Sequence, residues 1–508
     1  MSASAVPPGG PSLPGDTVTD LGPGVVRARL RPEGLETATH VLVGEGARLA
    51  DMFAAAGDRT GDVLLRLVWA LDRTGSYLVV ECPVAGETYP QLSEIAPAAF
   101  HEECEIYEQF ALRPAGGRPL NRVAMPPHAG AGLPRLGRAP TRPIRETHAS
   151  HDVGGHAFEF PFGPVRMSGV ESLYYGLVTS GEEVVDLFLF TWHKHRGVEW
   201  RLAGRSPAEA LFFVERVEGL SAVANGWAFV HAVERALDAP VPAAAAVTRA
   251  VALELERLYN HAAATVALCQ TTGLSVGQAN AEIALERCLR LNAAVFGHRY
   301  LFGVLDVGGV TRPPDLDALR RDLPGTYGEL RRVTDALSKT NSFLDRLEAT
   351  GIVTGEAVHR LGIVGPVARA AGAAIDTRTD HPQPPFDVHR PQLAVREAGD
   401  ALARYQVFLA EAADSVRLLG ELGGEAGDGT ARTRPGAGSG LGWSESARGE
   451  SLAWVDIGED GLIRRARLRP AAARNWRIFD DAARAQNVFT DIPIIEASFW
   501  LTVAGTAR

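Results

Sequence analysis

The stretch that most limits what this chain can fold into is residues 247–270, VTRAVALELERLYNHAAATVALCQ. Val251, Leu255, Leu258, Ala262 and Val266 recur at helical spacing and mark one apolar stripe. Glu254, Arg257 and His261 share another face, either as a polar relay or as a helix-face ion pair. Further helical patterns run at about 276–298, 314–349 and 390–420. Several long helices joined by short loops predict a helical bundle.

Around this bundle the pattern changes. Residues 1–23 begin with a Pro-, Gly- and Ser-rich stretch that predicts a disordered tail. Residues 24–112 read as a small α+β domain. VLLRLVWALD and YLVVECPV carry strand-forming residues, and AFHEECEIYEQFAL has Phe100, Cys104, Tyr107 and Phe110 near helical spacing. Residues 113–150, rich in Pro, Gly and Arg, predict a linker or extended arm. A larger domain covers 151–508. In it GLVTSGEEVVDLFLF is hairpin-like with SGEE as the turn, 423–442 is a Gly-rich flexible loop, and the tail from 443 returns to short strands.

Charge and cysteine content exclude several function classes. A net charge of −10 and a pI near 5.8 repel phosphate backbones, so nucleic acid is not an expected partner. Hydrophobic residues at 46% and charged residues at 22% fit a soluble globular chain. The start of the sequence lacks the basic and apolar regions of a signal peptide. No stretch offers the roughly 20 apolar residues of a membrane span, so membrane contact is expected to go through partners. Cys82, Cys104, Cys269 and Cys288 form no CxxC pair and read as reduced thiols of a cytosolic protein. Gly308-Gly309 is not a phosphate loop, since no P-loop lysine follows.

Four separated stretches carry a more specific signal. YPQLSEIAPAAFHEECEIYEQFAL keeps Tyr89, Pro90, Leu92, Glu103, Glu105, Ile106 and Phe110 of a YPSLT…WxEREIxDxFG pattern, with Cys104 in place of Arg. FGPVRMSGVES, WHKHRGVEW and VERVEGLSAVANGWAFVHAVE follow the order GPxHPALxEP, xHRGxE and DRVCGICxxAHxxAxxxxVE. LELERLYNHAA keeps Glu254, Glu256, Arg257, Leu258 and His261, and VGGVTR follows later. VGPVARAAGAAIDTRTDHP keeps Arg369, Gly372, Asp376, Arg378, Asp380 and His381 of VGPxxRASGxxRDTRxDHP.

In this order the four stretches resemble the large subunit of membrane-bound nickel–iron hydrogenases of the formate-hydrogenlyase type. That family fuses a 30-kDa-type complex I domain to a 49-kDa-type, hydrogenase-like domain. The resemblance implies an α+β chain: a small N-terminal α+β domain, then a hydrogenase-large-subunit-like domain with a long-helix bundle and peripheral short strands. It also implies an oxidoreductase subunit associated with NAD and quinone chemistry, peripheral on the inner face of the cell membrane. The implied partners are an iron–sulfur small subunit, whose cluster it holds, and membrane antiporter-like subunits.

The departures from the pattern are as informative. The family holds its metals with two CxxC pairs, because soft thiolates suit nickel and iron. Here the first pair reads Glu218 and Ser221, and the second reads Thr502 and Gly505. Asn225 replaces the His after the first pair, and Trp500-Leu501 replaces the Asp-Pro before the second. The expectation is therefore no bound metal and no hydrogen chemistry, with Ser221, Asn225, Thr502 and Gly505 lining a vacated pocket. The sequence stops at Arg508, where the resemblance places a maturation cut, so none is expected. Arg166 and Val170 stand where a complex I-type GPxHPAxHG loop has its histidines, which weakens a quinone site without removing quinone as a candidate ligand.

Glu171, Arg216 and Glu218 are the candidate proton-path residues. Glu171 falls where the family keeps an acid near its metal; the alternative is a surface residue at a strand end. Glu218 lies in an apolar stretch, and Arg216 is its candidate partner unless it points away. His193 and His195 read as loop residues, His195 within the structural HRGxE motif. The competing function is a non-catalytic scaffold that bridges the small subunit to the membrane arm.

Overall fold

A computed structural model describes residues 17–57, 63–116, 118–126, 136–137, 140, 157–166, 171–431, 436–484 and 486–508. Residues 1–16 of the expected tail lie outside these. Part of its remainder is not disordered: β1 (Thr17–Asp20) pairs antiparallel with β2 (Val25–Arg29). After α1 (Pro32–Gly44) come β3 (Arg48–Ala56), β4 (Val63–Leu71) and β5 (Ser76–Val84). They complete a five-stranded sheet ordered β1-β2-β5-β4-β3, with β2 and β5 parallel. A short strand β6 (Thr88–Tyr89) leads to α2 (Phe100–Phe110) and pairs with β7 (Arg113–Pro114).

Both faces of this sheet are buried. One face carries Leu65, Leu67, Trp69 and Val80 under α1 and α2. On the other, Val25, Phe53, Val68, Tyr77 and Val79 meet Leu441, Trp443, Leu452 and Trp454 from the far end of the sequence. Of the expected arm, residues 117, 127–135, 138–139 and 141–150 lie outside the described set. Its start is strapped to α2, where the buried Glu108 accepts the backbone N–H groups of Val123, Ala124 and Met125.

The second region opens with β8 (Phe158–Phe162), β9 (Tyr174–Ser180) and β10 (Glu183–Phe190), a sheet in which β9 and β10 form the expected hairpin. Then come α3 (Val198–Leu202), α4 (Pro207–Val214), α5 (Ala222–Ala236), α6 (Ala243–Thr271) and α7 (Ser275–Phe296). Two short strands, β11 (Leu305–Asp306) and β12 (Gly309–Val310), precede α8 (Leu316–Leu337). The helix expected over 314–349 is interrupted, because α9 (Asn341–Leu347) starts afresh after a break at 338–340. Next are α10 (Gly355–Leu361), α11 (Gly365–Ala370), α12 (Thr377–Asp380) and α13 (Ala401–Leu422). The helix expected from 390 begins only at Ala401, where Asp400 caps it by accepting Ala403 N–H at 2.7 Å.

α6 lies in the middle of the bundle, so its polar face is buried as fully as its apolar stripe. Glu254, Arg257 and His261 join an ion cluster instead of facing water. Arg378 donates to Glu254 (2.8 Å) and Asp376 (2.7 Å), Arg369 to Glu411 (2.8 Å) and Glu445 (3.0 Å), and His261 Nε2 lies 3.0 Å from Glu411. The 364–382 motif is thus a structural core, and its His381 reaches Asp72 of the N-terminal sheet domain at 2.8 Å.

The expected flexible loop 423–442 also needs correction. Residues 432–435 are outside the described set, but Gly438–Ser446 form β13, followed by β14 (Gly449–Ile457) and β15 (Ile463–Arg469) in an antiparallel meander. The tail beyond is helical rather than stranded: α14 (Ala471–Asn475), α15 (Phe479–Arg484) and α16 (Ile492–Phe499). Among the described residues no helix is long and apolar enough to cross a membrane.

Candidate functional site

The two segments that replace the cysteine pairs meet. The first is the turn from α4 into α5. Ser221 precedes α5 but does not cap it with its side chain. The free N–H groups of Val223 and Ala224 go instead to the carboxylate of Glu256 on α6, at 2.7 and 3.0 Å. The Ser221 hydroxyl is left to accept from Arg448 Nη1 at 2.8 Å. The second segment begins where α16 ends. Trp500 there takes a left-handed conformation (φ 53°) and turns the chain into residues 501–508.

Glu218 joins the two segments. It is 2% exposed and accepts a short hydrogen bond from the Thr502 hydroxyl and one of 3.3 Å from Asn225 Nδ2. Thr502 Oγ1 in turn accepts from Gly505 N–H at 3.1 Å. Gly505 is required by space: a Cβ there would lie 2.7 Å from Glu218 Oε1. The glutamate therefore fills the room that a side chain at 505 would need.

Glu171 approaches the same turn from the side. Its carboxylate accepts the N–H groups of Val503 (2.5 Å) and Ala504 (2.8 Å), while Lys194 Nζ lies at 3.2 Å near the surface. Arg166 does not open the neighbouring loop. It is held by Glu496 at 2.7 Å and by the Glu171 carbonyl at 2.9 Å, and Tyr175 OH donates to the same Glu496. Val170 lies outside the described residues.

Two guanidinium groups, neither among the expected site residues, organise the junction. Arg448, on the turn between β13 and β14, also donates from Nε to the Trp500 carbonyl at 2.5 Å and lies 5.4 Å from the Trp500 ring centre. Burial lowers its pKa, and Glu218 is the leading charge opposing that shift. Arg196 donates to the carbonyls of Val217 (2.8 Å), Ala504 (2.5 Å) and Ala507 (3.0 Å), tying both segments together. The HRGVE stretch signalled Arg196. Only the tertiary fold brings Arg448 here. The Trp500 indole is fixed by donating to Asn260 Oδ1 at 3.0 Å.

Arg216 does not take part, a correction to its expected pairing with Glu218. Its side chain is 40% exposed, donates to the Phe212 carbonyl at 2.8 Å and to Glu215 at 3.4 Å, and lies over the rings of Phe212 and Phe302. In the tight turn it points outward while Glu218 points inward, where Thr502 and Asn225 bind it.

The junction offers two carboxylates, two hydroxyls, an amide and two guanidinium groups. That donor set does not fit a nickel–iron centre, which needs soft thiolates. The four cysteines are buried away from these segments, in β5, α2, α6 and α7. The half-exposed Glu171 and the buried Glu218 bind the same short turn.

Comparison with known proteins agrees with the fold and with the sequence resemblance. Residues 196–268 match the family model described as nickel-dependent hydrogenase. Residues 282–433 match the model of the 49 Kd subunit of respiratory-chain NADH dehydrogenase. Formate hydrogenlyase subunit 5 of Escherichia coli (strain K12) is 26% identical over 441 residues, 82% of this chain and 77% of that protein. The carbon monoxide-induced hydrogenase of Rhodospirillum rubrum is 27% identical over 361 residues, 69% of this chain and 99% of that one. Among solved structures, a chain of the membrane-bound sulfane sulfur reductase, an archaeal respiratory membrane complex, superposes with a TM-score of 0.62. It is 20% identical and covers 70% of this chain and 99% of its own, a likeness of fold alone.

Proposed function

We propose that this chain, a relative of hydrogenase large subunits and of the 49-kDa complex I subunit, serves in a membrane-associated oxidoreductase complex. In that role it couples electron transfer from an iron–sulfur small subunit to quinone or to ion translocation, without a nickel–iron centre. The supporting observation is the Glu218 bridge. A buried carboxylate replaces a ligand position, binds the hydroxyl that replaces another, and shares its turn with the surface-reaching Glu171. Such a pair gives protons a buried station and an exit. The Trp500 ring locked onto Asn260 favours a second reading, a closed scaffold that bridges partner subunits without chemistry of its own.

One preparation of the native complex tests both readings. Elemental analysis is expected to find no nickel, and near-stoichiometric nickel would overturn the proposal. Glu218→Gln is expected to assemble normally and to slow turnover by about 10²-fold, the usual worth of a positioned proton carrier, with an altered pH profile. Unchanged turnover in an intact complex leaves the scaffold reading.

A further inference from the structure

Glu105 on α2 reaches out of the N-terminal sheet domain into an ion cluster at its border with the rest of the chain. Its carboxylate accepts from Arg508 Nη2 at 3.0 and 2.9 Å and from Arg467 Nη1 at 2.6 Å. Arg508 Nε donates to Glu199 Oε1 at 2.9 Å, and Arg465 Nη1 donates to Glu199 Oε2 at 2.8 Å. Arg467 completes the group by donating to Asp51 at 2.9 and 3.0 Å. Three guanidinium groups thus face three carboxylates. Arg469 adjoins the group at 3.7 Å from Asp51, and the cluster is well shielded, with the Arg508 side chain 5% exposed. A buried cluster of this kind is rigid while complete and is disrupted when one partner is removed.

Arg508 belongs to the segment that builds the candidate site. Between it and Thr502 the backbone runs as an irregular turn with neither a helical nor a strand ladder. Beside its own turn bonds from the Thr506 and Ala507 N–H groups to the Val503 carbonyl, and the Arg196 N–H on the Ala507 carbonyl, side-chain ties hold it. Arg196 grips the carbonyls of Ala504 and Ala507, and Glu105 with Glu199 grips Arg508. The turn so held presents the Val503 and Ala504 N–H groups to Glu171, and the Thr502 hydroxyl and bare Gly505 to Glu218.

We infer that Glu105 is a positioning residue: through Arg508, the N-terminal sheet domain sets the placement of the 502–505 turn and thereby of Glu218 and Glu171. The inference goes beyond the proton-carrier reading and stands or falls separately from it, because its test needs no turnover. The test uses full-length protein in its native complex and two variants. Glu105→Gln breaks the link from the domain side. Arg508→Gln breaks it from the turn side and leaves the Arg467 pairs with Glu105 and Asp51 in place. Hydrogen exchange at Val503, Ala504 and Gly505 is expected to rise about 10-fold or more in both variants, with β3–β5 unchanged. The infrared carboxylate band assigned to Glu218 by its absence in Glu218→Gln is expected to shift in frequency in both, because its hydrogen bonds to Thr502 and Asn225 change. Unchanged exchange at 503–505 in Arg508→Gln, an unmoved Glu218 carboxylate band, or exchange raised equally across β3–β5 in both variants would overturn the inference.

Discussion

At residue 505 a missing side chain and a present one fit each other. The space that a Cβ would occupy lies 2.7 Å from Glu218 Oε1 and 3.0 Å from the Ala472 methyl group. Gly505→Ala must therefore displace the carboxylate against its hydrogen bonds to Thr502 and Asn225 and press on the Ala472 methyl group. Weakening buried hydrogen bonds costs up to about 1–3 kcal/mol, which in a chain of this length lowers the thermal unfolding midpoint by about 1–3 °C. Adding Glu218→Ala, which removes the obstructing carboxylate, should recover part of the loss. Gly505→Ala with wild-type stability would show that the two positions are not coupled. Arg216 teaches the complementary lesson: two residues from Glu218, it spends its charge on Glu215 and on the faces of Phe212 and Phe302, where removing it should leave the junction intact.

The elements show how a helix start and a glycine pattern depend on their neighbours. α5 has no side-chain cap of its own; Glu256 from α6 supplies it across the bundle. Burial pushes the Glu256 carboxyl up to about 8, although the two backbone N–H groups pull it down. The folded state therefore holds a proton that the unfolded chain releases near the ordinary carboxylate value. Stability from this group is present at low pH and declines as pH rises toward about 8, by at most ~1.4 kcal/mol per pH unit. Glu256→Gln cannot ionise, so its unfolding midpoint should fall less between pH 5 and pH 8 than that of the wild type. Parallel slopes would refute the assignment. β13 is glycine-rich for another reason of proximity. A Cβ on Gly438, Gly440 or Gly442 would come within about 2 Å of the α5 carbonyls of Ala236, Ala232 and Ala228. The alternate-residue period of the strand meets the four-residue period of the helix, and only glycine lets the backbones approach so closely.

Across the whole molecule, the N-terminal sheet domain is bound to the rest both by an apolar face and by arginines. Phe53 and Tyr77 pack near Trp443 and Trp454, while β15 aligns Arg465, Arg467 and Arg469 on one side toward Asp51, Glu102, Glu105 and Glu199. These pairs are almost wholly buried, so salt should weaken them little. Arg467→Met leaves Asp51 and Glu105 short of a partner, a loss of about 3–5 kcal/mol by comparison with other broken buried pairs. Calorimetry should show one cooperative transition for the wild type and, for Arg467→Met, a lowered midpoint with the sheet domain melting separately. A variant that still melts as one unit at the wild-type temperature would mean that the apolar face alone holds the parts together.

The sequence by itself determined what is local or repeated. The helical period of 247–270, the β9–β10 hairpin, β4 and β5 of the N-terminal sheet and the four motifs in register depend on neighbours a few residues away. They located the bundle, the relatives and the two segments that meet. What only the tertiary structure decided is where side chains point and what they touch. Arg216 turns outward onto its own neighbours Phe212 and Glu215 and onto the distant Phe302, whereas Glu218 turns inward to Thr502, a choice between partners that the order of residues does not make. The glycines of 438–442 carry the same composition whether the segment is a loop or a strand pressed on a helix; the carbonyls of α5 made the choice. Arg448 and Arg508 reach the junction because β14, β15 and α2 bring distant charges into a dry interior, where a buried guanidinium needs partners to compensate for lost water. That requirement acts through space, between residues such as Glu105 and Arg508 that lie about four hundred positions apart.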